Sequence, residues 1–350
     1  MGILIFAVSA ILMKFFFILA IFGLTLLVAM YSTWGERKVA AYLQDRVGPA
    51  RAGYGGFLQP LADGVKMFTK EDFIPKDANK WLYIFGPGAF IFVALMTSAV
   101  IPWAPTVEAF GGSFSFQAAD INIGILYVMG FVSLGVYGIM IGGWASNNKY
   151  SLFGAIRASS QMISYELAMG LSIIAIVMMT GTLSLKEIAT QQAGLNWNVW
   201  KQPLTFLIFF ICALAETNRA PFDLPECETE LVGGYHTEYS SMKLGLYLFA
   251  EYINMFISSA VIATVFFGGY NFPGMDAVRE MLGGGFLFGL VCFGALMTKI
   301  VFFIFLFMWI RWTLPRFRYD QLMHLGWKTL IPLAILNMLV VGGFLLYLGK

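Results

Sequence analysis

The sequence predicts an all-α polytopic membrane protein, with eight transmembrane helices and an amphipathic interfacial helix in the first inner loop. Hydrophobic residues make up 59% of the 350 residues and charged residues only 12%, whereas a soluble domain has about 25% charged residues. Apolar stretches recur along the chain, most of them close to the length of about 20 residues that a helix needs to cross a bilayer. Residues 1–350 are therefore interpreted as a single integral membrane domain.

The apolar stretches define the candidate spans in order. The first one follows no basic region and no cleavage-site pattern, so it is interpreted as a retained span rather than a signal peptide. The fifth one is short, because Pro203 begins it and the polar segment ETNRAP closes it. The predicted spans are residues 7–30, 82–102, 123–142, 162–180, 203–216, 244–267, 285–310 and 329–348.

The distribution of Lys and Arg between the loops predicts the orientation, since cytoplasmic loops are enriched in these residues. Loops 31–81, 143–161, 217–243 and 311–328 hold 16 of the 22 Lys and Arg, whereas the opposite loops with the C-terminal lysine hold 4. Both termini are therefore predicted on the outer, periplasmic side. The asymmetry is lost if the short fifth span is omitted, which supports that span.

The first inner loop contains the segment GFLQPLADGVKMFTKED, whose apolar residues recur at helical spacing. These residues are Phe57, Leu61, Val65 and Phe68. Asp63 and Lys66 fall largely on other faces, as in a helix that lies along a membrane surface. A packing helix without any role in ligand binding is the alternative interpretation.

Composition excludes several kinds of site. The three cysteines are an odd number without CxxC spacing, which argues against a disulfide framework or an iron–sulfur site. Two histidines make paired haem ligands improbable. No metal and no bound cofactor are therefore predicted for this chain. No nucleic-acid partner is predicted either, and the net charge of +2, scattered over separate loops, carries no information about one.

Negative charge is concentrated in AETNRAPFDLPECETELVGGYHTEY, residues 215–239. This segment holds six of the 20 acidic residues and one basic residue, Arg219. A solvated acidic loop is the ordinary explanation, but these acids are interleaved with apolar residues and prolines. Crowded, partly buried carboxyl groups have raised pKa values and titrate together, as a proton relay or an electrostatic switch requires. The acids are Glu216, Asp223, Glu226, Glu228, Glu230 and Glu238.

Apart from Lys14 in the first span, which is assigned no role, three further ionisable residues fall within predicted spans: Glu166, Glu251 and Lys299. A charge at such depth costs about 2.5–3.5 kcal/mol on insertion scales and usually faces a polar interior. An ion pair between Glu251 and Lys299 is one explanation. Alternatively, Glu166 lines one continuous wet path with Glu216 and the loop acids.

Basic residues cluster in the predicted inner loops. They are Arg37, Lys38, Arg46, Arg311, Arg316, Arg318 and Lys328. Such clusters set topology and bind anionic lipid headgroups, or they dock an acidic soluble partner. Both explanations stay open at this point.

Six motifs in order along the chain resemble the quinone-channel subunit family of respiratory complex I, which comprises the bacterial H-type subunit and mitochondrial subunit 1. They are ERKVAAYLQDRVGP, GFLQPLADGVKMFTKED, SYELAMG, AETNRAPFDLPECETELVGGYHTEYS, FAEYIN and KIVFFIFLFMWIRWTLPRFRYDQLMHLGWK. The resemblance covers essentially the whole chain, and it also implies eight helices with outer termini.

The resemblance implies a subunit of the proton-pumping NADH:quinone oxidoreductase, a respiratory-chain translocase of the bacterial plasma (inner) membrane. It implies a quinone substrate, either ubiquinone or menaquinone, with FMN and iron–sulfur clusters held by partner subunits. The implied partners are the peripheral-arm subunits of the quinone site, the membrane-arm subunits and membrane lipid.

The resemblance also assigns roles by motif. The proton or coupling path would comprise Glu166, Glu216, Asp223, Glu226, Glu228 and Glu230. The quinone tunnel would include Arg37, Arg46, Asp63 and Lys66. Arg219 would be a counter-charge for the acids, with Glu251 and Lys299 in supporting roles.

Three alternatives remain at this point. The homologous membrane subunit of an energy-converting hydrogenase reduces no quinone. A stand-alone ion-coupled transporter would use Glu166 and Glu251 as ion ligands, but transporters often show inverted repeats, and none is evident here. A purely structural anchor would not explain so many ionisable groups within the spans.

Overall fold

The protein is a bundle of membrane helices. The computed structural model describes residues 2–109, 112–224 and 231–349, and about 74% of the chain is helical. Numbered in chain order within this part, the α-helices are α1 (Gly2–Leu43), α2 (Gln59–Thr69), α3 (Lys80–Thr97), α4 (Gly124–Ala145), α5 (Lys149–Thr180), α6 (Leu185–Gln191), α7 (Asn198–Lys201), α8 (Pro203–Glu216), α9 (Ser241–Phe266), α10 (Met275–Leu282), α11 (Phe286–Thr313), α12 (Tyr319–His324) and α13 (Ile331–Tyr347).

In the described part of the chain, seven helical stretches are long and apolar enough to cross a membrane, which confirms the predicted all-α polytopic class. The remaining apolar helix, α8, has 14 residues and is about 21 Å long, less than the roughly 30 Å of a hydrocarbon core. Pro203 begins α8, where a missing backbone N–H is tolerated. The count of eight spans therefore stays a prediction.

Two helices extend well beyond their predicted spans. α1 continues from residue 30 to Leu43, and the sequence contains no proline there before Pro49. α5 begins at Lys149 rather than 162, with Asn148 Oδ1 accepting a hydrogen bond from the Tyr150 amide at 2.8 Å. The predicted inner loop 143–161 is therefore mostly helical, and that part of the prediction is wrong. A search for apolar runs ends each span at the first polar residues, whereas the helix continues through them.

The predicted amphipathic segment forms α2, with Pro60 in its first turn. The apolar side chains of Phe57, Leu61, Val65 and Phe68 are all exposed. An exposed apolar stripe on a short helix is typical of a helix that lies in a membrane interface.

Side-chain contacts bring the loops that the sequence predicts to be cytoplasmic to one end of the bundle, here called the basic side. Lys243 at the start of α9 forms an ion pair of 2.8 Å with Asp72, which follows α2. Asn148 Nδ2 donates to Glu238 Oε1 at 2.6 Å, and the Tyr83 hydroxyl donates to the Glu238 carbonyl at 2.6 Å. The loops before α3, α5 and α9 therefore lie together.

Close helix packing beneath these loops depends on glycine. The Tyr247 hydroxyl of α9 donates to the Gly138 carbonyl of α4 at 3.0 Å. A Cβ atom on Gly142 would lie 1.8 Å from the same hydroxyl. Only glycine at position 142 therefore allows α9 to approach α4 this closely.

On the opposite side, short elements cover the ends of the long helices. Residues Val107–Ala109 and Gly112–Phe114 pair as two short antiparallel strands. Gln192, which follows α6, is fully buried, and its Nε2 donates to the carbonyl oxygens of Ile188, Thr264 and Val265 at 3.0–3.1 Å. This amide fastens α6 to the end of α9.

The last membrane helix contains a π-helical turn, Leu325–Leu330, between α12 and α13. Pro332 follows the turn and lacks the backbone N–H that a regular α-helix would use. The Trp327 indole in this turn donates to Ser164 Oγ of α5 at 3.0 Å, and the Tyr165 hydroxyl donates to the Leu322 carbonyl at 3.0 Å. The turn is therefore anchored to α5.

Candidate functional site

A cavity of about 390 Å³ lies between α1, α2 and α9 on the basic side. Its walls combine apolar and charged side chains. The apolar ones include Met30, Met67, Phe68, Leu246, Leu248 and Phe249. The charged ones are Arg37, Asp63, Arg219, Glu251 and Arg311. The cavity therefore brings together four of the site residues predicted from sequence, namely Arg37, Asp63, Arg219 and Glu251.

Glu36, near the end of α1, is bound by two arginines from distant parts of the chain. Its Oε2 lies 2.5 Å from Arg219 Nη1, and its Oε1 lies 2.5 Å from Arg311 Nη1. Glu36 and Arg219 are 5% and 6% exposed. Salt screens buried pairs much less than exposed ones, so these ion pairs fix the geometry of the cavity wall.

Arg219 also packs on an aromatic ring of α9. Its guanidinium carbon lies 3.7 Å from the centroid of the Tyr252 ring. Burial by itself lowers the pKa of Arg219, but Tyr252 and the nearby carboxylates of Glu36 and Glu251 outweigh burial and raise that pKa. The guanidinium group therefore stays charged.

Arg37 and Asp63 form an ion pair across the cavity, from α1 to α2, with Arg37 Nη1 and Asp63 Oδ2 2.6 Å apart. Lys66 Nζ lies 3.9 Å from Asp63, but the Lys66 side chain is 61% exposed and is absent from the cavity lining. Arg46 is exposed after the end of α1, where its Nε donates to Gln44 at 2.8 Å. Of the four predicted tunnel residues, the structure thus brings only Arg37 and Asp63 to the cavity.

Glu251 is 3% exposed, and its carboxylate accepts a hydrogen bond of 3.0 Å from the Tyr235 hydroxyl. Glu251 lies ten residues after Ser241, at which α9 begins on the basic side. It is about 22 Å from Phe266 at the other end of α9, at 1.5 Å per residue.

Lys299 on α11 lies near that other end of α9. Its Nζ donates at 2.5–2.8 Å to three backbone carbonyl oxygens, those of Phe267, Gly269 and Asn271. The ion pair between Glu251 and Lys299 that the sequence allowed is therefore wrong, because Lys299 binds the loop that follows Phe266, and Glu251 is about 22 Å from that end of α9.

Glu216 and Glu166 lie outside the cavity lining and interact with each other. Glu216 is 8% exposed at the end of α8 and interacts electrostatically with Glu166. Glu166 in turn accepts a hydrogen bond from the Ser133 hydroxyl of α4. Asn254 lines the same narrow crevice as Glu216, and it follows Glu251 by three residues on one face of α9. Polar side chains thus extend from the cavity to the acidic pair.

Asp223 is the first acid after Arg219 in the acidic segment. It is 5% exposed and forms an ion pair of 2.9 Å with Arg316, which lies between α11 and α12. Glu226, Glu228 and Glu230 lie outside the described residues.

Four residues of this region were not identified as site residues from the sequence: Glu36, Arg311, Tyr252 and Asn254. Glu36 directly precedes Arg37 and Lys38, so the segment was interpreted as a basic cluster and its single acid was not considered. Tyr252 and Asn254 lie beside Glu251 in FAEYIN, and a polar residue at Asn254 within a span was the available signal. Arg311 was noted only as part of a basic cluster.

The arrangement combines arginine side chains that can bind a polar or anionic group with carboxyl groups that can carry protons. Among the described residues, no three His, Cys, Asp or Glu side chains come together as a metal site requires. Paired arginines stabilise a developing negative charge. Adjacent carboxyl groups change their proton occupancy when a nearby charge changes.

The chain was compared with known proteins. A family model described as NADH dehydrogenase matches residues 15–342. Curated relatives named as the H-type subunit of NADH-quinone oxidoreductase include one from Flavobacterium psychrophilum, 66% identical over 93% of this chain and 94% of the relative. A Cytophaga hutchinsonii protein with the same name, numbered 1, is 61% identical over 97% of this chain and 98% of its own length. A Geobacter metallireducens protein with the same name, numbered 2, is 47% identical over 93% of each chain. These matches confirm the resemblance seen in the motifs, and the chain belongs to the NADH dehydrogenase family as a membrane subunit of NADH-quinone oxidoreductase.

Proposed function

We propose that this chain forms the membrane-embedded wall of the quinone chamber of NADH-quinone oxidoreductase and couples quinone reduction to proton translocation. The observation that carries the proposal is the cavity between α1, α2 and α9, with apolar and charged walls. A quinone has a flat polar head and a long apolar tail, so it requires both kinds of wall. The exposed apolar stripe of α2 beside the cavity is suited to entry from lipid.

The charged wall provides a reason for coupling. Quinone reduction adds electrons and takes up protons, so the charge in the cavity changes during turnover. Coulomb interactions are several-fold stronger in a poorly solvated site than in bulk water. The buried cluster of Glu36, Arg219 and Arg311 and the nearby Glu251 would therefore respond to the state of the quinone.

The acidic path begins at the same wall. In this proposal, a charge change at Glu251 reaches Glu216 and Glu166 through the crevice lined by Asn254. Asp223 extends the path toward the acidic loop, and Glu226, Glu228 and Glu230 join it on the basis of sequence alone. Arg219 supplies the counter-charge at the start of the path. The predicted tunnel residues Arg46 and Lys66 would act at the entrance rather than in the cavity.

The surroundings follow from the same proposal. FMN and the iron–sulfur clusters would be held by partner subunits of the peripheral arm, which would contact the basic side. Membrane-arm subunits would respond to the change in charge or protonation along the acidic path. The chain would lie in a bacterial inner membrane with eight spans, α8 included, and with both termini in the periplasm.

The cavity can be filled by one substitution. Gly245 on α9 lines it, and a Cβ atom there meets nothing closer than 3.7 Å, so Gly245→Leu extends a side chain into the cavity. In the assembled complex, this variant should raise the KM for quinone by about tenfold, equivalent to about 1.4 kcal/mol of lost binding. NADH oxidation by ferricyanide, which bypasses the quinone site, should be unchanged.

Gly130→Leu is the matched control, because Gly130 is an exposed glycine on α4 with no atom within 4 Å of its Cβ position. Both variants should assemble. Equal quinone kinetics in the two variants would contradict a quinone chamber at this cavity. An assembly that contains clusters but lacks quinone reduction even in the unmodified complex would favour the hydrogenase-type alternative.

A further inference from the structure

Gln161 in α5 makes an unusual set of contacts for a residue in a membrane helix. It is fully buried. Its Nε2 donates to the carbonyl oxygens of Ala215 at 2.7 Å and Phe222 at 2.8 Å, and it lies 3.4 Å from Asn218 Oδ1. An amide NH₂ group carries two hydrogens, so the two short bonds use both of them.

These two acceptors are the ends of one short segment. Ala215 is in the last turn of α8, where helix carbonyls have no partner within the helix. Phe222 lies seven residues later, past the point where the chain has turned back. Within the turn, Asn218 has a left-handed backbone with φ of 52°, and its Nδ2 contacts Met162 Sδ at 3.7 Å. Two consecutive residues of α5 therefore hold the segment 215–222.

The segment carries two charged residues that face different sites. Glu216 lines the crevice shared with Asn254 and interacts with Glu166. Arg219 lines the cavity and forms the ion pair with Glu36. Because only two residues separate Glu216 from Arg219, the shape of this segment sets how the cavity and the acidic pair lie relative to each other.

The orientation of the Gln161 amide is determined by its acceptors. The opposite orientation would place an amide oxygen against two carbonyl oxygens, which repel it. The donor end is therefore required at this position, and an acceptor cannot replace it.

A bonded amide is not unusual by itself, since buried polar groups are generally hydrogen-bonded. Gln192 shows this ordinary role: it is also fully buried, and it donates to three backbone carbonyl oxygens on the opposite side of the bundle, whereas Gln161 donates to two. The two glutamines differ in what the bonded segments carry. The segment held by Gln161 carries Glu216 and Arg219, whereas the acceptors of Gln192 lie at the ends of α6 and α9.

We propose that Gln161 is a positioning residue, which holds Glu216 and Arg219 in register so that a charge change in the cavity reaches the Glu216–Glu166 pair. This inference rests on the proposed function of the cavity. It predicts that loss of the two hydrogen bonds separates quinone reduction from proton pumping, even when the complex assembles.

The test compares Gln161→Met with Gln192→Met in the whole complex. Methionine is close to glutamine in size and has no N–H donor. Assembly is measured by the ferricyanide reaction, turnover by the kcat and KM for decylubiquinone, and coupling by protons pumped per NADH in vesicles. Gln161→Met should lower kcat by about tenfold, because a misplacement of about 1 Å that arises away from the chemistry costs up to about 100-fold. It should also lower the pumping ratio.

Gln192→Met should reduce only the amount of assembled complex. The inference is overturned if both variants show the same turnover and pumping ratio per assembled complex. If Gln161→Met does not assemble, Gln161→Asn, which keeps the donors on a shorter side chain, gives the same test. Unchanged turnover and pumping in assembled Gln161→Asn would overturn the inference.

The outcome is separable from that of the proposed function. If Gly245→Leu raises the KM for quinone but Gln161→Met changes nothing per complex, only the positioning role fails. If Gly245→Leu is also without effect, the quinone chamber itself is in the wrong place.

Discussion

Glu36 and Arg219 are 183 positions apart in the sequence, yet their side chains form a buried ion pair of 2.5 Å. Arg311 of α11 completes the group, also at 2.5 Å from Glu36. A carboxylate that serves two arginines ties α1, the loop after α8, and α11 together at the cavity wall. The group thus links the stability of the bundle to the charge of the cavity.

The first prediction concerns this carboxylate. Removing one partner of a buried ion pair costs about 3–5 kcal/mol, because the other charge stays buried without compensation. Glu36→Gln should therefore lower the midpoint of thermal unfolding of the purified complex and raise the KM for quinone.

A second substitution separates charge from packing. The double variant Glu36→Gln/Arg311→Met removes one of the two uncompensated guanidinium groups, so it should be less destabilised than the sum of the single variants. Additive losses of thermal stability would show that Glu36 and Arg311 do not interact in the assembled complex.

The second prediction separates residues at the cavity from residues near it. Arg37 lines the cavity and pairs with Asp63 at 2.6 Å, whereas Lys66 lies 3.9 Å from the same carboxylate and outside the lining. Partly exposed ion pairs contribute about 0–1 kcal/mol to stability, so neither substitution should prevent assembly.

Arg37→Gln should raise the KM for decylubiquinone several-fold, whereas Lys66→Gln, at the entrance and outside the cavity lining, should raise it less. The measurement is steady-state NADH:quinone kinetics in membranes, normalised to the ferricyanide rate. Equal effects of the two substitutions would mean that the basic charge near α2 matters and that its place in the cavity does not.

The third prediction addresses the acidic path. Glu216→Gln keeps the size and hydrogen-bonding capacity of the side chain but removes its titratable proton. If Glu216 passes protons, the substitution should slow coupled turnover by at least about 100-fold, the usual contribution of a positioned proton-transfer group. Proton uptake by inverted vesicles with NADH and quinone is the measurement.

Glu187→Gln is the matched control, because Glu187 is exposed in α6 on the opposite side of the bundle. It should pump at the normal rate. A Glu216→Gln complex that assembled, reduced quinone and pumped protons at full rate would exclude Glu216 from the path.

The fourth prediction concerns the loop before α9. The Tyr239 hydroxyl donates to the Tyr83 carbonyl at 3.0 Å, and the two rings stack at 4.1 Å. Tyr239→Phe removes the hydrogen bond, at a net cost of about 1 kcal/mol, and keeps the stack. The thermal midpoint should fall slightly, and the KM for quinone should not change. Exposed Tyr42 provides the control Tyr42→Phe, which should leave both quantities unchanged.

The contribution of Tyr239 to stability should depend on pH in a defined direction. Burial raises the pKa of Tyr239 to about 12, from about 10 in an unfolded chain. Both states are protonated at pH 7–9, so the difference between Tyr239→Phe and the parent should be constant there. Above about pH 10 the unfolded state loses its proton first, so the contribution of Tyr239 to stability falls toward pH 12. A difference that already varied between pH 7 and 9 would contradict the raised pKa.

The sequence predicted those elements that a short stretch of residues specifies by its own composition and spacing. Apolar runs identified the long spans, and a three-or-four-residue repeat identified α2. The acidic segment stood out by composition, and Glu216 and Asp223 in it are indeed buried. Motifs also identified the family correctly.

The tertiary partners of charged residues could not be predicted in this way. Nothing near Glu36 in the sequence indicates Arg219 or Arg311, because the three meet only after the helices have packed. Depth within a span was also misleading for Glu251 and Lys299. The two residues carry opposite charges within the predicted spans, but they do not pair. Glu251 accepts a hydrogen bond from Tyr235, whereas Lys299 donates to carbonyl oxygens of the loop after α9.

The fifth prediction follows from that difference. Lys299 donates to three backbone carbonyl oxygens of the loop after α9, and it lies 5.2 Å from the centroid of the Trp197 ring. Hydrogen bonds from a charged group contribute about 1.5–3 kcal/mol each. Lys299→Met removes all three, so it should lower the thermal midpoint of the complex markedly while the KM for quinone stays unchanged.

Lys201→Met is the control for the loss of a positive charge on the same side, because Lys201 is exposed at the end of α7. It should have no effect on stability or turnover. The distinguishing result lies in the pumping ratio of the complex that survives mild extraction. If Lys299 only stabilises the loop after α9, Lys299→Met should pump the normal number of protons per NADH at a temperature where the complex is intact. A lowered ratio there, with normal quinone reduction, would mean that Lys299 exchanges protons with the opposite side and belongs to the path rather than to the scaffold.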